Sequence, residues 1–262
     1  MNFLFYLCAA INKQTFIHME KQRFTFRNGN VILHFSVGFS LNRKITLTNN
    51  PIAQHYSFSK EQYEFCKVEG FKVFDFVKMD GENCLDCPYS FTNGYKGGKC
   101  YTHKFPQLQG FTSILKGIAN KYPTFDSIPE VTDNIPTELL KTVQGKYVRF
   151  GTYGEVVFIP YSWVEAICGA CSAYTGYTHQ WDKPKYIEYG KRFMASTHSI
   201  EETKEALERG FRSFMVYKKN EQHDNENLVT CPADREKTSC QKCGLCSGTE
   251  GKGMKSIKIL YH

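Results

Sequence analysis

The stretch Arg192-Phe-Met-Ala-Ser-Thr-His-Ser-Ile-Glu-Glu-Thr-Lys-Glu-Ala-Leu-Glu-Arg-Gly-Phe-Arg-Ser-Phe-Met-Val-Tyr217 decides the fold class. Its apolar start predicts a short strand. The capping box Ser199-Ile-Glu-Glu202 then predicts a helix over 200–209, which ends at Gly210. The expected buried positions of that helix are Ile200, Thr203, Ala206 and Leu207. A second apolar run predicts another strand, and a strand–helix–strand unit of this kind builds a parallel sheet.

Further strands are predicted on both sides of this unit. Alternating apolar and polar residues mark them at 23–27, 31–35, 44–48, 71–78, 146–150 and 255–261. Helical spacing of apolar residues over 111–122 predicts one more helix.

These elements predict an α/β architecture, either a TIM-barrel-like or a related parallel β/α fold, with a C-terminal Cys-rich metal-binding loop. The expected organisation has a β-rich segment over 1–50 and an α/β catalytic domain over 51–262. Cys-rich insertions are expected in the second part, at 84–100 and 231–246.

The composition indicates a folded chain. Of the 262 residues, 41% are apolar and 15% are aromatic, which argues against disorder over most of the length. The formal charge is +7, and a moderate basic excess fits a nucleic-acid partner. The apolar run at 3–10 is too short to span a bilayer and follows no basic region. We therefore expect a cytoplasmic protein without a membrane partner.

Eleven cysteines give the strongest chemical signal. Two residues between cysteines let a tight turn direct both sulfurs at one ion. Zinc is the cofactor expected at the C-terminal set, and an iron–sulfur cluster is the alternative. His262 or His223 is a possible replacement for one of these thiols. The C-terminal set consists of Cys231, Cys240, Cys243 and Cys246.

A second set, Cys84, Cys87 and Cys100, predicts another metal site. Three thiols suit either a zinc site that His103 completes or a three-thiolate iron–sulfur cluster with an open iron. An open iron is what radical enzymes use to cleave S-adenosylmethionine, although their usual CxxxCxxC spacing is not present here. The two cysteine sets can also converge on one site or on neighbouring sites.

The string Arg149-Phe-Gly151-Thr-Tyr-Gly154-Glu155 is the first candidate site without thiols. In α/β folds, ligands gather where strands end and loops begin. Glycines at such a place allow the backbone to approach a base or a phosphate closely. We predict that Glu155 is the catalytic acid, base or nucleophile and that Arg149 contacts a phosphate or a base.

The second candidate is the stretch 175–181. Aromatic rings can stack on a nucleobase, and an amide or an imidazole can read its edge. We predict that His179 is catalytic and that its neighbours line a base pocket. The alternative is that the aromatic residues belong to the core and that the histidine is a hydrogen-bonded strut. The neighbours concerned are Tyr177, Gln180 and Trp181, and His198 follows another predicted strand that ends at the same place.

Several of these strings together resemble the gene-product-88 family of phage and plasmid proteins. The resemblance covers about residues 40–262. An acid is expected near His198, where this chain has histidine, so the chain departs from the family pattern at that position. The matching strings are Asn42-Arg-Lys, Cys84-x2-Cys87-Pro, Cys100-Tyr, the two candidate strings above, Met194-Ala-Ser, the C-terminal cysteines and the Lys255-Ser-Ile-x-Ile strand.

This group in turn resembles phage DNA guanine transglycosylases, which are similar to tRNA-guanine transglycosylases. Those enzymes are barrels with a zinc site near the C-terminus, and they exchange guanine for a 7-deazaguanine base. The resemblance implies a phage or mobile-element origin, a host cytoplasm and evasion of restriction. It also implies DNA (or RNA) and a 7-deazaguanine-type base as partners. The zinc spacing and the catalytic aspartate motif of the tRNA enzymes are not matched.

The predicted function is therefore that of a base-modifying enzyme that exchanges guanine in DNA. The alternatives are an iron–sulfur enzyme of the radical type and a non-catalytic zinc-containing protein that binds nucleic acid.

Overall fold

The first of two five-stranded sheets is formed by the N-terminal strands. The computed structural model describes residues 22–38, 51–221, 227–235 and 238–261. The strand order is β1-β2-β3-β4-β5; β2 is antiparallel to both β1 and β3, and β3, β4 and β5 run parallel. These strands are β1 Arg23–Asn28, β2 Val31–Gly38, β3 Ile52–Ser59, β4 Tyr147–Tyr153 and β5 Ala173–Thr175.

The second sheet is parallel throughout. Its order is β6-β7-β8-β10-β9. The strands are β6 Tyr177–Thr178, β7 Met194–Thr197, β8 Ser213–Tyr217, β9 Leu228–Thr230 and β10 Ser256–Leu260.

Eight α-helices connect the described strands or extend from them. They are α1 Lys60–Phe65, α2 Gly81–Cys84, α3 Phe105–Lys121, α4 Thr137–Val143, α5 Tyr161–Ala170, α6 Ile200–Glu208, α7 Pro232–Arg235 and α8 Cys240–Cys243. Short 3₁₀ helices cover Val73–Met79, Phe125–Ser127, Val156–Phe158 and Pro184–Lys191.

The predicted strand–helix–strand unit is confirmed as β7, α6 and β8. The two strands pair in parallel, with Ala195 opposite Ser213. The hydroxyl of Ser199 accepts the backbone N–H of Glu202, as the capping box predicts. Leu207 is the exception among the expected core positions, because it lies on the solvent side of α6.

Gly176 joins the two sheets, because β5 ends just before it and β6 begins just after it. A side chain at position 176 would lie 2.5 Å from the ring of Phe193. The carbonyl of Gly176 accepts the N–H of Met194 at 3.1 Å, and its own N–H donates to the carbonyl of Cys246. Glycine therefore lets the chain cross tightly from one sheet to the other.

The first sheet is covered on both faces. Successive residues of β2 point into different cores: Leu33 packs with Trp163 of α5, and Ile32 packs with Phe111 of α3. Burial on both faces is typical of parallel α/β sheets.

The stretch 71–78 was expected to be a strand, and this prediction is wrong. Val73–Met79 is a 3₁₀ helix that packs on α1 and α3. A strand would place Phe74 and Phe76 on one face, but Phe76 is buried while Phe74 is 54% exposed. Burial of Val77 beside Phe76 fits the turn of a helix instead.

The α/β class is confirmed, with one mixed and one parallel sheet, whereas a closed barrel is not found among the described strands. The expected boundary at residue 50 falls between β2 and β3. These strands pair along their whole length, so one sheet extends across that boundary. No helix in the described ranges is long and apolar enough to cross a membrane. The predicted strand at 44–48, the string at Asn42, and the proposed ligands His223 and His262 lie outside the described residues.

Candidate functional site

Four polar or aromatic side chains follow the carboxyl ends of parallel strands. Glu155 comes shortly after β4, His179 follows β6, His198 follows β7 and Tyr261 follows β10. Ligands of parallel sheets collect at this edge, because loops from several strands meet there. The candidate site therefore lies at the carboxyl edge of the strands.

Glu155 is held rigidly at this edge and is only 4% exposed. Its Oε1 accepts the backbone N–H of His179 at 3.1 Å, and its Oε2 accepts the hydroxyl of Thr178 at 2.7 Å. The backbone N–H of Glu155 donates to the carbonyl of Asn83, and its carbonyl accepts the hydroxyl of Ser57. The carboxylate thus has a fixed position and two occupied oxygens.

The imidazole of His179 lies between this carboxylate and a sulfur. Its Nδ1 is 3.0 Å from Oε1 of Glu155, and its Nε2 is 3.8 Å from Sγ of Cys87. Burial alone would lower the pKa of His179, but Cys87 and Glu155 outweigh it and raise the pKa to about 10. A thiol, an imidazole and a carboxylate in this order are the arrangement of an activated nucleophile.

Flat rings continue from His179 toward the surface. The ring of His198 stacks on His179 with centroids 5.4 Å apart, and its Nδ1 lies 3.0 Å from the phenol oxygen of Tyr89. Tyr89 in turn stacks on Tyr261. Burial and the positive charge of His179 lower the pKa of His198 to about 3, so this imidazole is neutral. Its Nε2 has no hydrogen-bond partner among the described residues.

The loop 84–100 covers the carboxyl edge and is anchored by Asp80. The carboxylate of Asp80 accepts the N–H groups of Phe91 and Thr92 and the hydroxyl of Thr92. Leu85 has a φ of +48°, a value that branched residues adopt rarely. Backbone strain of this kind is concentrated at functional sites. The strained residue lies directly between Cys84 and Cys87.

The three loop thiols lie close enough to influence one another. Burial raises the pKa of Cys84, and Cys87, Asp80 and Cys100 raise it further. Burial also raises the pKa of Cys100 to about 11. The hydroxyl of Thr102 is 3.1 Å from the sulfur of Cys100, and the amide of Asn83 donates to Cys84. Cys84 and Cys100 are therefore neutral thiols at pH 7.

The C-terminal cysteines also gather: Cys231 directly follows β9, whereas the carbonyl of Cys246 accepts the N–H of Gly176, just before β6. Cys231 and Cys246 belong to one buried cluster. Cys240 packs against Tyr147, the first residue of β4. Burial raises the pKa of Cys246, and the other three thiols of the set raise it further. Within the described ranges, no group of three or more His, Cys, Asp or Glu residues has the geometry of a metal site.

Two predicted site residues lie near this second set instead of near His179. Arg149 donates to the phenol oxygen of Tyr101 at 2.8 Å, and its charge lowers the pKa of Cys240, which burial raises. Tyr177 packs on Phe214 with ring centroids 4.4 Å apart. Arg149 therefore contacts the residue that follows Cys100 and also influences Cys240 of the C-terminal set.

The remaining predicted residues have internal partners. A side chain at Gly154 would lie 2.5 Å from the carbonyl of Ser57, and one at Gly151 would meet Val156. The space beside each glycine is therefore filled by other residues of the protein and not by a ligand. Trp181 is buried and donates to the carbonyl of Ser196, as the alternative of a core residue predicts. Gln180 is buried, and its Nε2 has no partner among the described residues.

Sequence reasoning missed the contribution of the loop to this site. Cys87 was predicted only as a metal ligand, and Tyr89 and Tyr261 were not predicted at all. A signal was available for Tyr261, since it ends the last predicted strand. Tyr89 directly follows the Cys87-Pro pair, but nothing local shows that it reaches His198.

The chemistry of the site is thus that of a thiol beside an imidazole held by a carboxylate, with a stack of flat rings leading away from it. These contacts are the basis for a function, since no family model, no curated protein and no solved structure matches the chain.

Proposed function

We propose that the protein is a nucleic-acid base-modifying enzyme in which Cys87, His179 and Glu155 are the reacting unit. The observation that carries the proposal is the position of His179, 3.8 Å from a thiol and 3.0 Å from a buried carboxylate. The unit lies at the carboxyl ends of parallel strands, where substrates bind in α/β enzymes.

In this mechanism Cys87 is the nucleophile. His179, with a pKa of about 10, is an imidazolium at pH 7, and Cys87 attacks beside it as the thiolate. The sulfur forms a bond to the sugar C1′ while the bond from C1′ to guanine breaks. The imidazolium gives its Nε2 proton to the leaving guanine. The incoming base then bonds to C1′ and displaces the Cys87 sulfur, and the proton that this base loses returns to His179. Proton transfer by a positioned side chain contributes roughly 10²–10⁴ to a rate. Glu155 fixes the ring of His179 through the contact between its Oε1 and Nδ1.

A nucleophilic role for Glu155 is less well supported. Both of its oxygens accept hydrogen bonds, and the side chain is 4% exposed. A carboxylate that attacks the sugar C1′ must direct a free lone pair at the substrate. The contacts favour Glu155 as the residue that orients His179.

The substrate that we propose is a base flipped out of its stack. Such a base needs flat side chains to stack on, and His198 and Tyr89 offer them next to His179. Exchange of guanine in DNA for a 7-deazaguanine base, as the resemblance implies, is the reaction that we propose within this class. The same resemblance implies a barrel and a C-terminal zinc loop, with Cys231, Cys240, Cys243 and Cys246 as the zinc ligands.

Nucleoside mass spectrometry of DNA from cells that express the protein tests this function. Wild-type protein should produce a modified base, and Cys87→Ser and His179→Asn should not. Cys171→Ser, a half-buried thiol outside the loop, is the control and should keep the activity. Retained base exchange in Cys87→Ser would exclude the thiol mechanism, and retained exchange in Glu155→Ala would exclude any role for that carboxylate.

An iron–sulfur enzyme is the second candidate, because three thiols gather at the same edge. Hydrogen bonds reach the sulfurs of Cys84 and Cys100, and such bonds tune iron–sulfur clusters. A brown protein after anaerobic purification, with iron and sulfide by analysis, would favour this candidate. Cys100→Ser separates the two mechanisms: it should abolish cluster chemistry but leave the Cys87 mechanism active.

A further inference from the structure

A groove of about 320 Å³ lies beside the cysteine loop. Three of the eight large hydrophobic residues that are exposed in the described ranges line it: Phe74 (54%), Tyr101 (53%) and Phe105 (49%). The rings of Phe74 and Phe105 lie 5.7 Å apart. A concentration of exposed rings in one groove marks a binding surface, because exposure of apolar rings to water costs free energy that a bound partner recovers.

The same groove is positively charged. Lys99 and Lys104 line it, and no Asp or Glu is among its described lining residues. Lysines beside open aromatic rings are what proteins use to hold single-stranded nucleic acid. The lysines contact phosphates, and the rings stack on bases that are not paired. A duplex does not offer its bases for such stacking.

The groove leads to the reacting unit. Tyr261 lines the groove, and its hydroxyl donates to the carbonyl of Lys99 at 2.8 Å. The ring of Tyr261 stacks on Tyr89 with centroids 5.8 Å apart, and Tyr89 contacts His198. His198 stacks on His179. An unbroken series of flat side chains thus runs from the groove to the candidate site.

We propose that this groove binds a single-stranded segment of nucleic acid and leads one nucleotide toward Cys87 and His179. The destination of that nucleotide rests on the proposed function, whereas binding in the groove does not. Stacking on an aromatic ring is worth about 1–3 kcal/mol per base, so the loss of a ring lowers affinity about tenfold or more.

Fluorescence anisotropy with a labelled single-stranded oligonucleotide and its duplex tests the binding. The wild-type protein should bind the single strand more tightly. Phe74→Ala and Phe105→Ala together should weaken binding about tenfold or more. Lys99→Gln and Lys104→Gln together should weaken it and reduce the salt dependence by about one to two phosphate contacts. Ile187→Ala and Lys204→Gln, exposed positions outside the groove, are the controls and should change neither value.

Equal binding of duplex and single strand, or unchanged binding by both groove variants, would overturn the proposal. Thermal unfolding of each variant shows whether it is folded under the binding conditions, so that a loss of affinity is not mistaken for a loss of structure. The two proposals fail separately. If groove variants lose binding while Cys87→Ser keeps its activity, the thiol mechanism is wrong and the groove stands. If Cys87→Ser is inactive while groove variants bind normally, the groove is wrong.

Discussion

Oε1 of Glu155 lies 3.0 Å from Nδ1 of His179 and also accepts the backbone N–H of the same residue at 3.1 Å. One oxygen therefore fixes both the position of His179 and the rotation of its ring. A buried carboxylate needs such partners, because removing its charge from water costs several kcal/mol. With Nδ1 occupied, only Nε2 of His179 is available to Cys87.

Glu155→Gln should lower the pKa of His179 from its value of about 10. The amide has the same size but no charge, so burial, which lowers this pKa, is opposed by Cys87 alone. Turnover should fall on the order of a hundredfold, since the ring is no longer held as an imidazolium. NMR titration of the imidazole measures the pKa. Glu165→Gln is the matched control, because Glu165 pairs with Arg192 elsewhere. An unchanged pKa in Glu155→Gln would mean that the carboxylate does not hold the proton.

Cys87 should react with iodoacetamide faster than Cys84 at pH 7. Both residues are 8% exposed, so access is the same and the difference reports thiolate content. The pKa of Cys84 is raised by burial and by neighbouring acidic groups, whereas Cys87 faces the imidazolium. Peptide mass spectrometry after brief alkylation measures each rate.

His179→Asn removes this imidazolium and should slow alkylation of Cys87 about tenfold. The rates of Cys84 and Cys100 serve as internal controls in the same sample. If Cys84 reacts as fast as Cys87 in the wild-type protein, the sulfur beside His179 has no special reactivity.

The parallel unit was predictable because its signals are local. Ser199 caps α6, Gly210 ends it with a φ of +83°, and both flanking strands are apolar. β5, β6 and β9 are two or three residues long and carry no usable periodicity. The order of the strands depends on pairing between distant segments, which no local pattern contains.

The site was predictable where a side chain directly follows a predicted strand, as His198 does. It was not predictable where the residue lies within a strand and not at its end. Arg149 lies in the middle of β4, so its side chain emerges on a face of the sheet and reaches Tyr101. The pairing of Cys87 with His179 depends on how the loop folds over the edge, and the spacing of the cysteines does not contain that information.

The free energy of unfolding should be highest near pH 6.5 and fall on both sides. On the acid side, burial lowers the pKa of both His34 and His55 to about 3. The unfolded chain, with a pKa of 6.5, then binds protons that the folded chain does not, so stability falls as pH drops from 6.5 toward 3. Each buried histidine contributes up to about 1.4 kcal/mol per pH unit.

Above pH 6.5 the free energy of unfolding should fall for the opposite reason, because folding raises the pKa of one histidine. His179 keeps its proton in the folded state up to its pKa of about 10, while the unfolded state loses it above 6.5. This stabilisation is complete below pH 6.5 and is lost as pH rises through 10. Urea unfolding at a series of pH values measures both slopes, and His179→Asn should flatten only the alkaline one. A stability that does not change between pH 6.5 and 4 would contradict the neutral state of His34 and His55.

Gly154→Ala should destabilise the protein by about 2–4 kcal/mol and should also impair the site. Gly154 has a φ of +72°, which an L side chain rarely adopts. An added Cβ would lie 2.5 Å from the carbonyl of Ser57 and 3.0 Å from the amide of Asn83. Because both residues also hold the backbone of Glu155, moving them displaces its carboxylate.

Gly110→Ala is the matched control for this substitution. Gly110 lies inside α3 with open space around it, so alanine there should stabilise the helix by about 0.5–1 kcal/mol. Urea unfolding of the two variants gives the comparison, and NMR titration of His179 shows whether its partner has moved. A Gly154→Ala protein with wild-type stability and an unchanged His179 pKa would mean that Ser57 and Asn83 yield without cost, and that the position of Glu155 does not depend on this turn.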